Sequence, residues 1–236
     1  MVNVLPPMAE LKRIALDLLF PPYCIGCGRE GDFICNKCQE SLTFVVPPIC
    51  NKCGRPLSTG PKCSHCTNEQ TEIDGIRAPF AFEGLVRQAI HRLKYQNIRA
   101  LSGIFAMFLY DCFNKNALSS DVLVPVPLHP KRLRERGYNQ SHLLARELSR
   151  LCNLQVVGDC LVRCVNTPPQ AQSSGVNERR ENIHNAFKCR NDRLDGKHIL
   201  LIDDVATSGY TLNTCAKELK SSGAKSVWGL VVALEM

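Results

Sequence analysis

The stretch from His198 to Thr211, HILLIDDVATSGYT, constrains the fold of this chain more than any other segment. Its unbroken apolar run, Ile199–Ile202, is typical of a short strand that is buried on both faces of a parallel sheet. Asp203 and Asp204 follow this run directly, and a loop of small and hydroxyl-bearing residues comes next. A helical pattern begins after Tyr210. The sequence therefore predicts a strand, an acidic pair, a small-residue loop and a helix in succession.

Such a segment suits a ligand that carries a phosphate at one end and a vicinal diol beside it. In open α/β sheets, ligands bind beyond the carboxyl ends of the strands. A glycine in the loop lets the backbone approach an anion closely, and the N–H groups of a helix start favour negative charge. A ribose 5-phosphate has the required shape. The alternative is an acidic pair that caps a turn in any doubly wound domain, and the ordered strand, loop and helix favour the ligand site over it.

The same segment is similar to the signature of the type I phosphoribosyltransferases, which bind 5-phosphoribosyl-1-diphosphate (PRPP) together with Mg²⁺. The resemblance implies an α/β fold with a mostly parallel sheet flanked by helices. It also implies that Asp203 and Asp204 hold the ribose hydroxyls and belong to the catalytic residues. By position, the loop that holds the 5-phosphate comprises Ala206, Thr207, Ser208, Gly209, Tyr210 and Thr211.

Four CxxC pairs near the N-terminus form an internal repeat, because CIGCGR and CNKCGR each precede a second CxxC. Eight cysteines in this arrangement predict two four-cysteine zinc sites, which are structural because no coordination position remains for water. Redox-active dithiols are a less favoured alternative. Gly28 and Gly54 are expected to aim backbone N–H groups at thiolate sulfur.

Pairing of the cysteines within each repeat is favoured over interleaved pairing. The longer loops of an interleaved arrangement cost only about 0.6 kcal/mol per doubling of length, so the repeat symmetry decides. The predicted ligands are Cys24, Cys27, Cys35 and Cys38 in the first site and Cys50, Cys53, Cys63 and Cys66 in the second.

The length of 236 residues accommodates one ordinary domain and a small module. We expect a helix and a double zinc-ribbon module over residues 1–70, a linker over 72–78 and a phosphoribosyltransferase-like domain over 78–236. Lys12 and Arg13 interrupt the hydrophobic N-terminal stretch, which argues against a signal peptide. Fourteen cysteines without an export signal predict a cytoplasmic protein.

The net charge of +7 is unevenly distributed, since residues 1–77 carry eight basic and eight acidic side chains. The excess lies beyond them, on a helix predicted over 85–95 and in a basic cluster over 129–136. Two interpretations remain open. The helix presents either a solvated cationic face or, together with the cluster, a surface that binds the phosphates of nucleic acid.

A second buried strand is predicted over 121–127, and the sequence PVPLH at its end is similar to the diphosphate loop of glutamine amidophosphoribosyltransferases. This resemblance assigns Leu128 and His129 to PRPP binding. The polar segment over 166–187 occupies the chain position of the flexible loop that covers the diphosphate in that family. The resemblance implies that Arg179 and Arg180 are catalytic and stabilise the departing diphosphate.

The CxxC repeats, LHPKRLRERGYNQS, NTPPQAQ, RRENIHNAF and LLIDDVATSGYT together resemble the ComF family of competence-associated proteins. The resemblance implies a factor of natural transformation that takes up or handles incoming single-stranded DNA beside a helicase-like protein. The family also contains GntX-like proteins. They imply the alternative of an active phosphoribosyltransferase in nucleotide or gluconate-related metabolism without a DNA role. An enzyme and a binding module that uses PRPP as a ligand both remain open.

Overall fold

The computed structural model of the chain describes residues 21–58, 60–68, 71–165, 186–190 and 193–236. It divides into two compact units, with the boundary between Leu42 and Thr43. The predicted N-terminal helix over 9–20 lies outside the described residues. The boundary falls between the two CxxC repeats, so the second repeat belongs to the same compact unit as the sheet.

Among the described residues, the first unit contains the first repeat and one short helix, α1 (Asn36–Gln39). The remaining helices all lie in the second unit: α2 (Ser64–Asn68), α3 (Gly84–Tyr95), α4 (Leu101–Lys115), α5 (Pro130–Arg136), α6 (Gln140–Cys152) and α7 (Tyr210–Ser221). The strands of the second unit are β1 (Gly75–Arg77), β2 (Phe80–Ala81), β3 (Val122–Pro125), β4 (Gln155–Val156), β5 (Leu161–Arg163), β6 (Phe187–Cys189), β7 (His198–Ala206) and β8 (Ser226–Leu234).

Six of these strands form one sheet in the order β4-β3-β7-β8-β1, with β2 also paired to β8. Every pairing in this sheet is parallel. β5 and β6 form a separate antiparallel pair. The predicted fold, a mostly parallel sheet flanked by helices, is confirmed.

β7 lies in the middle of the sheet, between β3 and β8. The side chains of Ile199–Ile202 are at most 1% exposed, although successive side chains of a strand point to opposite faces. Both faces of β7 are therefore covered, as the unbroken apolar run predicts. β3 runs parallel to β7, and Pro125 lies opposite Ile202 in the register.

The apolar stripe of α3 and the capping residue of α6 show how the local sequence determines these helices. In α3 the stripe of Val86, Ala89, Ile90 and Leu93 is buried, as the helical spacing predicts. The side chain of Asn139 caps α6 by accepting a hydrogen bond from the Ser141 N–H at 3.0 Å.

The sequence over 101–109 is apolar at nearly every position, but α4 does not bury all of these side chains. Its residues Leu101, Phe105 and Leu109 are buried, but Met107 is 53% exposed. Within the described ranges, no helix is both long enough and apolar enough to cross a membrane.

The segment over 72–78 was predicted as a linker, and this prediction is wrong for its central part. Gly75–Arg77 forms β1, which pairs with Trp228–Leu230 of β8. The strand is short and carries a glycine and an arginine, so it lacks the apolar run that identifies a buried strand. Gly75 is required by packing, because a Cβ at this position would lie 2.3 Å from the Trp228 ring.

We predict that Gly75→Ala destabilises the protein by about 1–3 kcal/mol, the usual cost of overpacking a filled site. Gly103→Ala is the matched control, since a Cβ there meets no atom within 4 Å and the residue lies inside α4. Removing this helical glycine is expected to stabilise the fold by about 0.5–1 kcal/mol. Urea denaturation of both variants measures the difference, and equal stability of the two would contradict the packing argument.

Candidate functional site

The acidic pair lies inside β7 and not after it. The strand continues through Asp203 and Asp204 to Ala206, because Val205 and Ala206 still pair with β8. Helix α7 begins at Tyr210, so the connecting loop is only Thr207–Gly209. The predicted phosphate loop, Ala206–Thr211, therefore consists of the last strand residue, a three-residue loop and the first two helical residues.

The backbone of this loop turns at Gly209, whose φ of +76° lies in the left-handed region that favours glycine. A Cβ on Gly209 would also lie 3.0 Å from Cδ1 of Ile76. A small pocket opens here and is lined mainly by predicted site residues: Asp203, Val205, Ala206, Thr207, Gly209, Tyr210, Thr211 and Leu212. The structure therefore brings one acid and most of the predicted loop together.

Asp204 forms an ion pair with Lys94 of α3, whose Nζ lies 2.8 Å from Oδ1. The Asp204 side chain is 4% exposed and the Lys94 side chain 22% exposed. Burial alone would lower the pKa of Lys94, but the neighbouring Asp204 outweighs burial and raises it. The second oxygen of Asp204, Oδ2, is buried and has no hydrogen-bond partner among the described residues.

Asp203 has a different environment. Its Oδ1 accepts hydrogen bonds from the Ser141 hydroxyl at 2.7 Å and from the Asp204 N–H at 2.9 Å. Burial and the adjacent charge of Asp204 raise the pKa of Asp203 to about 7, against the opposing effect of these hydrogen bonds and of Lys94. Asp203 therefore changes its charge near neutral pH.

The loop after β3 leaves the sheet at the same edge as the acidic pair, because β3 and β7 are parallel neighbours. Leu128 and His129 lie in this loop. His129 caps α5, and its Nδ1 accepts a hydrogen bond from the Lys131 N–H at 3.2 Å. The basic cluster over 130–136, to which no secondary structure was assigned from the sequence, is the helix α5 itself.

A second, larger pocket of about 310 Å³ lies between the end of α3 and α5. Tyr95 is 62% exposed, and the Arg136 guanidinium lies 5.2 Å from its ring centroid. The Tyr138 hydroxyl donates a hydrogen bond to the Leu93 carbonyl and so connects the two segments. The pocket is lined by Lys94, Tyr95, Asn97, Arg132, Glu135, Arg136 and Tyr138.

The ion pair between Lys94 and Asp204 corrects the predicted role of Lys94. The sequence placed it on a basic face, either solvated or in contact with nucleic acid. The structure directs its ammonium group to Asp204 instead. Arg179 and Arg180 lie outside the described residues.

The eight predicted metal ligands form two clusters, one from each repeat, in agreement with sequential pairing. Within each cluster the Sγ atoms all lie within 4.8 Å of one another. The Cys27–Cys35 separation is 3.6 Å and the Cys53–Cys63 separation is 3.7 Å. Four ligands about 2.3 Å from a tetrahedral zinc ion lie about 3.8 Å apart. Both clusters are therefore zinc-binding sites of suitable size.

Backbone N–H groups support one buried thiolate in each cluster. The Cys35 N–H approaches Sγ of Cys24 at 3.4 Å, and the Cys63 N–H approaches Sγ of Cys50 at the same distance. Burial raises the pKa of these two thiols, but the N–H donors outweigh it and lower both values to about 6. A lowered pKa favours the thiolate form that binds metal.

The turns that contain the two repeat glycines aim backbone N–H groups at sulfur, as expected, because the N–H groups of Cys27 and Cys53 help to lower the pKa of the Cys24 and Cys50 thiols. The N–H groups of Gly28 and Gly54 donate to the carbonyl oxygens of Cys24 and Cys50 and not to sulfur. Both glycines turn the chain tightly, with φ of +71° and +75°.

Three contributors to the site were missed from the sequence. Ser141 and Lys94 hold the acidic pair, and the Arg55 guanidinium binds the carbonyl oxygen of Thr207. Only Arg55 carried a usable signal, since it occupies the last position of the repeated CxxCGR motif.

Two domain families match the chain. The double zinc ribbon domain matches residues 15–67, and the phosphoribosyl transferase domain matches residues 138–235. Both agree with the fold and with the cysteine clusters described above.

Curated relatives match most of the chain. Competence protein F of Haemophilus influenzae is 30% identical over 226 residues, which cover 89% of this chain and 96% of the relative. Competence protein ComFC of Bacillus subtilis is 30% identical, with 83% and 81% covered. DNA utilization protein YhgH of Escherichia coli is 28% identical, with 82% and 87% covered.

Solved structures resemble part of the chain. A glutamine PRPP amidotransferase from B. subtilis is 14% identical with a TM-score of 0.39, and covers 56% of this chain and 26% of its own. A purine phosphoribosyltransferase from Pyrococcus horikoshii is 15% identical with a TM-score of 0.34, and covers 55% of this chain and 70% of its own.

We predict that freshly purified protein contains two zinc ions per chain. Cys24→Ser should release one ion and leave the circular dichroism of the sheet unchanged, because the second cluster lies in the other compact unit. Metal analysis by mass spectrometry gives the stoichiometry. A wild-type content of one ion or none would contradict the prediction, as would loss of both ions from the variant.

Proposed function

The chain belongs to the family of competence protein F and ComFC, and from this premise we propose that it is a competence factor of natural transformation. In this proposal it is a cytoplasmic protein that handles incoming single-stranded DNA and binds PRPP with Mg²⁺ at the end of β7. A helicase-like protein is the proposed partner, as the family resemblance implies. The relatives named as DNA utilization proteins support the DNA role.

The unpartnered oxygen of Asp204 is the observation that carries the PRPP site. A buried acceptor without a hydrogen bond costs free energy, about 1–3 kcal/mol and more when it is charged. A ribose hydroxyl is a donor that would remove this cost. The loop that follows the acidic pair has Gly209 in a left-handed conformation at the start of α7. The backbone N–H groups there would bind the phosphate of a ligand whose diol contacts the acids.

The proposed ligand geometry follows from the positions of the loops. The 5-phosphate lies against Thr207–Gly209 and the first turn of α7, and the diol lies against Asp203 and Asp204. The diphosphate extends toward Leu128 and His129 at the end of β3, where Mg²⁺ balances part of its charge. Arg179 and Arg180 are proposed for the diphosphate from their chain position alone.

Charge favours this ligand when Asp203 is ionised. When Asp203 is protonated, the charges of Asp204 and Lys94 cancel, and the acidic pair offers the diol only one ionised acceptor. With Asp203 ionised, both acids accept hydrogen bonds from the diol, and charge-assisted bonds are about twice as strong as neutral ones. Because the pKa of Asp203 is raised to about 7, PRPP binding should strengthen as the pH rises through neutrality.

The pocket between α3 and α5 is the proposed contact for single-stranded DNA. Proteins that bind single strands combine positive charge along the phosphates with aromatic rings that stack on bases. The exposed Tyr95 ring packs against the His91 ring in a tilted arrangement, at 4.7 Å between ring centroids, and lies beside Arg132 and Arg136. This pocket also contains Lys94, the partner of Asp204, so the two proposed sites share a residue.

We predict that PRPP with Mg²⁺ raises the melting temperature and that Asp203→Asn removes most of the rise. A ligand that binds only the folded state stabilises it by about 2.7 kcal/mol at a hundredfold excess over its dissociation constant. Asp203→Asn removes a charged acceptor but keeps the Lys94–Asp204 ion pair. Asp204→Asn is less informative, because it leaves the ammonium group of Lys94 without its partner. Thr207→Ala should reduce the rise less, since backbone N–H groups carry most of the phosphate contact.

The matched control is Asp159→Asn, which removes the carboxylate of an exposed ion pair with Arg193. It should leave the PRPP-induced rise unchanged. An internal check comes from ligand-free stability. The folded pKa of Asp203 lies above its unfolded value, so this group destabilises the fold as the pH rises from about 4 to 7. Asp203→Asn should therefore be more stable than wild type at pH 8. A PRPP shift that survives Asp203→Asn would place the site elsewhere.

For the DNA surface, we predict that Tyr95→Ala weakens binding of an oligodeoxythymidine by about 5- to 160-fold, the range of one lost base stack. Arg132→Glu should also lower the slope of log affinity against log salt by about 0.7, because one phosphate contact is lost. Arg150→Glu on α6 is the control, since Arg150 pairs with Glu147 outside the pocket. Fluorescence anisotropy over a salt series gives both quantities. Equal effects of Arg132→Glu and Arg150→Glu, with no effect of Tyr95→Ala, would indicate general electrostatic attraction and exclude a defined site.

A further inference from the structure

The second CxxCGR repeat lies directly against the elements that hold the candidate phosphate loop. The knuckle is the segment Cys50–Arg55, with the cysteine ligands Cys50 and Cys53. Its Lys52 carbonyl accepts a hydrogen bond from the Ile76 N–H at 2.7 Å, and its Lys52 Nζ donates to the Ile73 carbonyl at 3.1 Å. The knuckle is therefore attached to β1 and to the residues that precede it.

Gly54 brings the knuckle into the closest approach. A Cβ at Gly54 would lie 2.4 Å from the Ile76 carbonyl oxygen. On its other side, Ile76 contacts the loop, because its Cδ1 lies 3.0 Å from the position of a Cβ on Gly209. Ile76 thus lies between the zinc knuckle and the glycine that turns the phosphate loop.

Arg55 makes the direct connection. Its guanidinium donates to the carbonyl of Thr207 in the loop and, through Nε at 2.9 Å, to the carbonyl of Glu235. The Glu235 N–H in turn donates to the Ala206 carbonyl at 3.0 Å. One side chain therefore joins the end of β7 to the segment after β8.

The position of Arg55 depends on the metal ligands. Its carbonyl accepts a hydrogen bond from the Cys50 N–H at 2.8 Å, and the Gly54 N–H donates to the Cys50 carbonyl at 2.9 Å. A metal ion that fixes Cys50 and Cys53 also fixes the turn from which the Arg55 side chain extends.

We propose that the second zinc knuckle braces the phosphate loop, with Arg55 as a positioning residue that couples metal at this site to ligand affinity at Thr207–Gly209. The coupling to PRPP rests on the proposed function, whereas the bracing of the ligand-free loop does not. Arg55 donates to carbonyl oxygens and therefore does not itself occupy the N–H groups of the loop.

The test compares Arg55→Met with Arg150→Met, which also removes one arginine charge but from an exposed pair with Glu147. Hydrogen exchange of the ligand-free protein, followed by mass spectrometry on peptides that cover 206–211, reports the order of the loop. Loss of one charge-assisted hydrogen bond corresponds to roughly tenfold, so Arg55→Met should accelerate exchange of this segment about tenfold. Arg150→Met should leave it unchanged.

Zinc content and PRPP affinity complete the test. Arg55→Met should keep two zinc ions and bind PRPP–Mg²⁺ about tenfold more weakly by calorimetry, and Arg55→Lys should be intermediate because an ammonium group has no planar fork. Cys63→Ser, which removes a ligand of the second site, should accelerate exchange of the loop, whereas Cys35→Ser, at the first site, should not.

Unchanged loop exchange in a folded Arg55→Met protein would overturn the proposal, and so would loss of zinc from that variant, because Arg55 would then act on the metal site. Wild-type protein that fails to bind PRPP would remove the proposed function, and the exchange measurement would still decide the bracing.

Discussion

The parallel pairing of β3 with β7 is the constraint on which the rest of the candidate site depends. Because Pro125 of β3 lies opposite Ile202 of β7, the apolar parts of the two strands end at the same level of the sheet. The acidic pair and the Leu128–His129 loop are thereby delivered to one edge. A slip of β7 by one residue would bring Asp203 to the level of Ile202 in the apolar part of the sheet, which disfavours that register. The sheet therefore sets the geometry of the site. Burial of the apolar strand residues, and not any contact of the polar groups themselves, determines where the polar groups lie.

The electrostatics at this edge suit a neutral diol joined to an anion. Loss of hydration is the main reason why the pKa of Asp203 is raised, and the adjacent charge of Asp204 adds to it, whereas Lys94 opposes both only in part. A diol supplies hydrogen-bond donors without adding charge to the pair. In the proposed complex the negative phosphate lies instead at the N-terminus of α7, where the helix dipole would favour it. The incomplete compensation by Lys94 is thus compatible with a binding site that is ordered before its ligand arrives.

The sequence was informative where a pattern is local. The apolar run of β7, the amphipathic stripe of α3 and the cysteine repeats each carry their signal within a few residues, and each prediction agrees with the structure. It was uninformative where a contact joins distant segments. Lys94 and Asp204 are separated by 110 positions, and helical periodicity could place Lys94 only on a polar face. The sequence did not predict β1 for a related reason. Gly75 of this strand packs against the Trp228 ring, and a packing requirement of that kind produces no periodic pattern in the sequence.

The two zinc repeats show how one motif acquires different duties. Both turn through a glycine of similar φ, and both bind a thiolate through the N–H of the third cysteine. A Cβ on Gly28 would meet no atom within 4 Å among the described residues, whereas one on Gly54 would collide with the Ile76 carbonyl. Glycine is favoured at position 28 only because the backbone has a positive φ. At position 54 it is favoured also because a side chain would collide with β1. The metal chemistry explains why both repeats share their sequence, and only the surroundings of the second explain how its arginine reaches the loop that we propose binds phosphate.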